Sequence, residues 1–183
     1  MSGFRRDSRE IPAADGVPFL DSADLFEVNP DVTKCIVDAD FGDPHKGRVK
    51  SGWLLLSRSG QIYGLNGSVM IAGHVHENKV VSDHIIRIAP NLGRCRTGYL
   101  LTALTHPTLG RPRVKALPYG SSIPEIDVVD VKTFEVPRLT ERAEEEIADQ
   151  AEKAAVLRDR ADELENEIAE SAEDLINRFL AGP

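Results

Sequence analysis

The sequence predicts an α+β fold: a small mixed-sheet domain followed by one long C-terminal coiled-coil helix. Three observations predict it. Short apolar or β-branched runs, punctuated by Gly, Pro and Asn, fill residues 17–137, with one or two helical stretches among them. Pro137 closes that pattern, and no Pro or Gly follows between Thr140 and Leu180. Within that last segment apolar residues recur every seven positions, the spacing of a coiled-coil seam.

The elements follow in order. Residues 1–16 read as a mobile lead-in broken by Pro12 and Gly16. Ordered chain starts at Val17-Pro-Phe-Leu20, and Ser22 can cap a short helical turn over Ser22–Phe26 that Pro30 ends. Residues 33–37 read as a strand. A loop over 38–48 leads to the apolar run Trp53–Leu56, which reads as a buried strand. That run stops at Ser57-Arg58-Ser59-Gly60, a polar turn presenting a guanidinium and hydroxyls. Residues 68–72, 79–82 and 84–88 read as further strands, and 97–104 as a helix with Tyr99, Leu100, Ala103 and Leu104 on one stripe. A last strand is expected within 124–137. The helix from Thr140 to about Leu180 is rich in Ala, Glu, Leu and Arg, and acids crowd its first turns. At 1.5 Å per residue it makes a rod of about 60 Å. Its seam comprises Ile147, Ala151, Ala154, Leu157, Ala161, Leu164, Ile168, Ala172, Leu175 and Phe179. One amphipathic rod cannot bury its own stripe, so a partner helix is expected there.

Charge is divided along the chain. Residues 138–183 hold 6 Lys/Arg and 14 Asp/Glu, a net of −8. Residues 46–115 hold 11 against 2, a net of +9, and include four of the five histidines. An acidic tail behind a basic middle suits a polyanion-binding face better than the overall net charge of −8 suggests. Cys35 and Cys95 lie far apart in a chain without an apolar leader or a run of about 20 apolar residues. A cytoplasmic protein with no membrane partner is expected.

The residues argue against chemistry. No Gly-Lys-Ser/Thr follows Gly60, Gly64 and Gly67, so a Walker phosphate loop is excluded. His74-Val-His76 places two imidazoles on one strand face with no third ligand at a suitable spacing, so no metal is expected. Ser82-Asp83-His84 are neighbours on a strand and cannot converge as a triad. Asp38, Asp40 and Asp43 lack the lysine of a metal-dependent nuclease, and no glycine-rich methyl-donor loop is present. The expectation is no catalytic residue and no cofactor.

Several motifs occur in a telling order: Gly16-Val-Pro-Phe-Leu20, Gly52-Trp-Leu-Leu-Leu-Ser-Arg-Ser-Gly60, Val81-Ser-Asp-His-Ile-Ile-Arg-Ile88, Gly98-Tyr-Leu-Leu-Thr-Ala-Leu104, Tyr119-Gly120, Ile123-Pro-Glu-Ile126 and Val136-Pro137 before a long charged helix. In this order they resemble a target-recognition domain of a type I restriction–modification specificity (S) subunit with its spacer helix. The resemblance implies a lead-in (1–16), a DNA target-recognition domain (17–137) and a spacer or dimerisation helix (138–183). It implies reading of one half of a bipartite double-stranded DNA site, and docking of methyltransferase (M) and possibly restriction (R) subunits. It also implies that the chain has no active site of its own. A complete S subunit has two such domains and two such helices, so this chain corresponds to a half-subunit or a fragment, paired with a second half or with itself. Arg58, Ser59 and Gln61 are then candidates for base edges. Lys46, Arg48, Lys50, Arg111, Arg113 and Lys115 are candidates for phosphates, with Tyr63, Lys79 and His84 as further contacts. The rival reading is a protein-interaction adaptor or regulator acting through the acidic helix.

Overall fold

The computed structural model describes residues 10–11, 16–27, 34–36, 47–120 and 122–182. Its strands form two small sheets. In the first, β1 (Glu10–Ile11), β3 (Cys35–Ile36), β2 (Val17–Leu20) and β6 (Val80–Val81) lie in the order β1-β3-β2-β6. Its β2–β6 pairing is parallel and the other pairings are antiparallel. The second is the antiparallel sheet β5-β4-β7, from Val69–Ile71, Leu54–Ser57 and Ile85–Ile88, with Leu55 opposite both Met70 and Arg87. With five helices added, the fold is α+β as expected. β1 falls within the stretch that the sequence gives as a lead-in.

β4 explains why its sequence is an unbroken apolar run. Leu55 points into a core with Leu20, Leu25, Val49, Met70, Val81 and Ile85. Leu54 and Leu56 point the other way, into a core with Ile86, Leu104, Val114 and Ile126. A strand covered on both faces cannot alternate with polar residues. The first cover includes α1 (Ser22–Phe26), capped by Asp21 and not by the expected Ser22: the Asp21 carboxylate accepts from the Ala23 and Asp24 amides. The second cover is made by α2 (Thr97–Thr105), α3 (Arg111–Lys115) and α4 (Val128–Lys132).

Two expectations are corrected. Residues 128–132 are a helix, where valine content predicted a strand. The Asp127 carboxylate accepts from the Val129 amide at 2.7 Å, and Val128 and Val131, three apart, share the core face. His74–His76 form a 3₁₀ turn and not a strand, so the two rings diverge. His76 is buried, its Nδ1 accepts from the Gly73 amide, and burial pushes its pKa down. Ser82–His84 likewise sit at a turn before β7.

The last helix, α5 (Glu141–Ala181), has two faces. At 100° per residue, Glu144, Ala148, Glu152, Ala155, Asp159 and Asp162 stay within about 40° of one line down the helix. Four of them, Glu144, Ala148, Asp159 and Asp162, are buried against the domain. The domain answers their charge. Arg96, just before α2, donates to Asp149 and to Glu152, both at 2.6 Å. The second Glu152 oxygen takes the Gly98 amide at the start of α2, a favourable place for an anion. Arg138 grips Glu144 with two hydrogen bonds, and the Leu139 amide adds a third. His74 contacts Asp159 at 2.7 Å and Glu163 at 2.6 Å through its two ring nitrogens. The Glu163 hydrogen bond holds the His74 pKa above its ordinary value. Both close approaches need glycine: a Cβ on Gly73 would overlap the Asp159 carboxylate, and one on Gly98 would overlap the Ala148 carbonyl.

The apolar seam lies about 100–180° round from this inner line, with Ala151 at its border. Ile147 and Ala151 are half-buried, and Ala154, Leu157, Ala161, Leu164, Ile168, Ala172, Leu175 and Phe179 are exposed. The helix therefore docks through its charged and small residues and turns its seam outward. No helix among the described residues is long and apolar enough to cross a membrane.

Two outcomes follow for the junction. Gly98→Ala should lose about 1–3 kcal/mol by overpacking, seen as a lowered Tm. His74 should titrate by NMR above the ordinary value of about 6.5, and Glu163→Gln should lower its midpoint. Because the folded pKa is raised, the stability it lends is complete below about 6.5 and is lost as pH rises through the folded midpoint.

Candidate nucleic-acid interface

The two ends of β4 carry different surfaces. Its N-terminal end, at Gly52 and Trp53, adjoins α2 and the docked helix: the Thr97 hydroxyl donates to the Gly52 carbonyl, and the Gly52 amide to Ala72. Its C-terminal end opens into the Arg58 turn, away from that helix. The expected site residues divide between these ends.

At the Arg58 end a hydrogen-bonded chain runs across three segments. Arg58 Nη2 donates to Glu125 Oε2 at 3.2 Å, and Ser59 Oγ donates to Glu125 Oε1 at 3.0 Å. His84 Nδ1 lies 2.9 Å from Ser59 Oγ. Since the Ser59 proton is directed at Glu125, His84 donates through Nδ1. The backbone repeats the connection: the Arg58 amide donates to His84, and the Ile126 amide to Arg58, both at 2.8 Å. Sequence reasoning missed Glu125, which lies in a weakly acidic segment with nothing to mark it as a partner of Arg58.

The loop after Arg58 is tied down from beneath. Asn66 is fully buried, and its Nδ2 donates to the Gly60 carbonyl at 3.1 Å and the Pro124 carbonyl at 2.8 Å. The Lys115 ammonium, on α3, donates to the carbonyls of Ile62 (2.9 Å), Gly64 (3.0 Å) and Asn66. Burial, and Arg111 beside it, hold the Lys115 pKa below its usual value. Gln61 and Tyr63 stand exposed on this loop. Arg111 is exposed on α3, and the Arg113 guanidinium stacks 4.4 Å from the Phe134 ring centre.

Arg48, Lys50 and Lys79 gather at the other end. Arg48 Nη1 donates to the Asn78 carbonyl, Lys50 lies 6.0 Å from the Trp53 ring centre, and Lys79 is half-buried with its pKa pushed down by burial. Asp38, Asp40, Asp43, His45 and Lys46 lie outside the described residues. Ser59 is the hydroxyl that meets an imidazole at the Arg58 turn, and its proton is directed at Glu125 and not at His84. Burial pushes the Cys95 thiol up, against thiolate chemistry. The cleft of about 410 Å³ between the domain and α5 is lined by His74, Arg96, Glu152 and Asp159, which already pair with one another.

A turn rich in donors thus stands at one end of the domain and an outward apolar seam on the other side of a docked rod. Among solved structures, the fold is similar to that of the S subunit of a type I restriction–modification system from M. genitalium. The TM-score is 0.53 at 14% identity, over 81% of this chain and 34% of that one. The fold is that of part of an S subunit. The chain spans about a third of the length of that relative. No family model and no curated protein matches the sequence.

Removing Asn66 tests the support of the loop. Asn66→Ala leaves two carbonyls without their donor and should lose about 1–3 kcal/mol, with faster proteolysis within residues 61–65 and α5 unaffected.

Proposed function

We propose that the chain is the sequence-specific DNA-recognition module of a restriction–modification or related methylation-based defence system. On this reading residues 17–137 are the target-recognition domain and residues 138–183 the spacer helix. The module has no active site and works in the cytoplasm. It places methyltransferase subunits, and restriction subunits where present, on a bipartite site. One observation carries the reading: the donor-rich Arg58 turn extends from the end of β4 away from the docked α5, whose seam is exposed, in a fold similar to that of part of an S subunit. A reader needs its base-contacting edge clear of the helix that sets spacing.

The roles follow from exposure. Exposure supports Gln61 and Tyr63 as base readers, with Arg58 and Ser59 oriented by Glu125, and supports Arg111 and Arg113 as phosphate contacts. Lys115 supports the loop from below. His84 holds Ser59 in place, while Arg48, Lys50 and Lys79, at the other end of β4, lie apart from this edge. The seam from Ile147 to Phe179 pairs with the helix of a second half-subunit or a second copy.

The exposed acidic helix also favours a second reading, an adaptor that works through α5 alone. Titrating the full chain with duplexes from a random-sequence pool, across salt concentrations, separates the two. A reader should retain a subset of duplexes, and Arg111→Ala should reduce the log–log salt slope by roughly one unit. Binding without preference among duplexes would sink the first reading. Retention of function after neutralising both Arg58 and Arg111 would favour the second.

A further inference from the structure

We propose that the loop Gln61–Asn66 is a preformed wedge whose Tyr63 ring inserts at a base-pair step of duplex DNA, with Lys115 as its positioning residue. The proposal rests on the DNA-recognition reading above and assigns the loop a mode of action within it.

The first observation is what the loop exposes. Ile62, Tyr63 and Leu65 are three large apolar side chains in four residues, all exposed, with the Tyr63 ring wholly so. Scattered apolar residues on a surface are ordinary, but a contiguous group at a loop tip marks a contact. Ile and Leu are side chains that proteins use to part stacked base pairs, and an aromatic ring adds a face on which a base can stack.

The second observation is that the backbone is fixed while these side chains are left out. Lys115 has three ammonium protons and directs them at the carbonyls of Ile62, Gly64 and Asn66. Asn66 ties the loop to Gly60 and Pro124. The Gly64 amide donates to Gln61, the Ser68 amide to Leu65, and the Gly67 amide to Ser57. A loop immobilised before binding loses little conformational freedom on contact.

The third observation selects the partner. An exposed aromatic also suits a protein interface, but the surroundings are cationic. Arg111 and Arg113 stand on the helix that holds the loop, and Arg58 lies at the start of its turn. The nearby Glu125 has both oxygens engaged by Arg58 and Ser59. Apolar side chains with arginines on the supporting helix fit stacked bases between phosphates.

The test uses the full chain and the duplex it selects from a random pool, with 2-aminopurine replacing each adenine in turn. Binding should raise fluorescence at one step. Tyr63→Ala should abolish the rise and weaken binding about tenfold, while Tyr63→Phe keeps both. Lys115→Met, which retains the stem without the ammonium, should reduce the rise, whereas Arg111→Ala should weaken binding and leave the rise intact. A selected duplex bound with no rise at any position, or a rise that survives Tyr63→Ala, overturns the wedge and leaves DNA recognition standing. A chain that selects no duplex overturns both.

Discussion

The contact between the start of α2 and the inner face of α5 determines how the molecule is laid out. Acidic side chains line that inner face, and burying carboxylates is costly unless each finds a donor. The domain supplies the donors at fixed points: the Arg96 guanidinium, the Gly98 amide, the His74 imidazole and the Arg138 fork. Two glycines let the backbones come close enough for these bonds to form. With the charged face satisfied inward, the apolar seam has one direction left, away from the domain.

β4 carries this arrangement across the fold. Its three leucines fill two cores, one on each face of the sheet, so the strand acts as a rigid spine. The rod adjoins one end of the spine and the Arg58 turn extends from the other. Glu125 then closes the turn against the segment leading into α4, and the Asp127 cap starts α4 directly afterwards. The surface at Arg58 thus depends on residues more than sixty positions apart meeting at one carboxylate.

The sequence showed the parts whose signals are local. The Trp53–Leu56 run, the 97–104 stripe and the seven-residue repeat each carry their period in plain view, and β4, α2 and α5 appear where those periods lie. Val128, Val129 and Val131 misled because β-branched residues read as strand, while a single capping carboxylate at Asp127 and the packing of Val128 and Val131 on the core favour a helix there. His74 and His76 read as an alternating pair because their turn is set by Gly73 lying against Asp159, a contact 86 positions away in the chain. The candidate site was legible as a type of turn and not as a structure. Nothing in the spacing connects Arg58 to Glu125, or Lys115 to three carbonyls of a loop fifty residues earlier.

The two-faced helix has a mechanical consequence. Its last contact with the domain is at Glu163, and the next 16 residues to Phe179 extend about 24 Å with only exposed side chains. The docked part, from Glu144 to Glu163, is about 29 Å long, so slightly more than half of the rod is held and the rest projects freely. A bend of about 10° just past Glu163 moves the tip by roughly 4 Å, nearly the rise of three residues. The hydrogen bonds spread along the docked part therefore fix the line along which the free part projects.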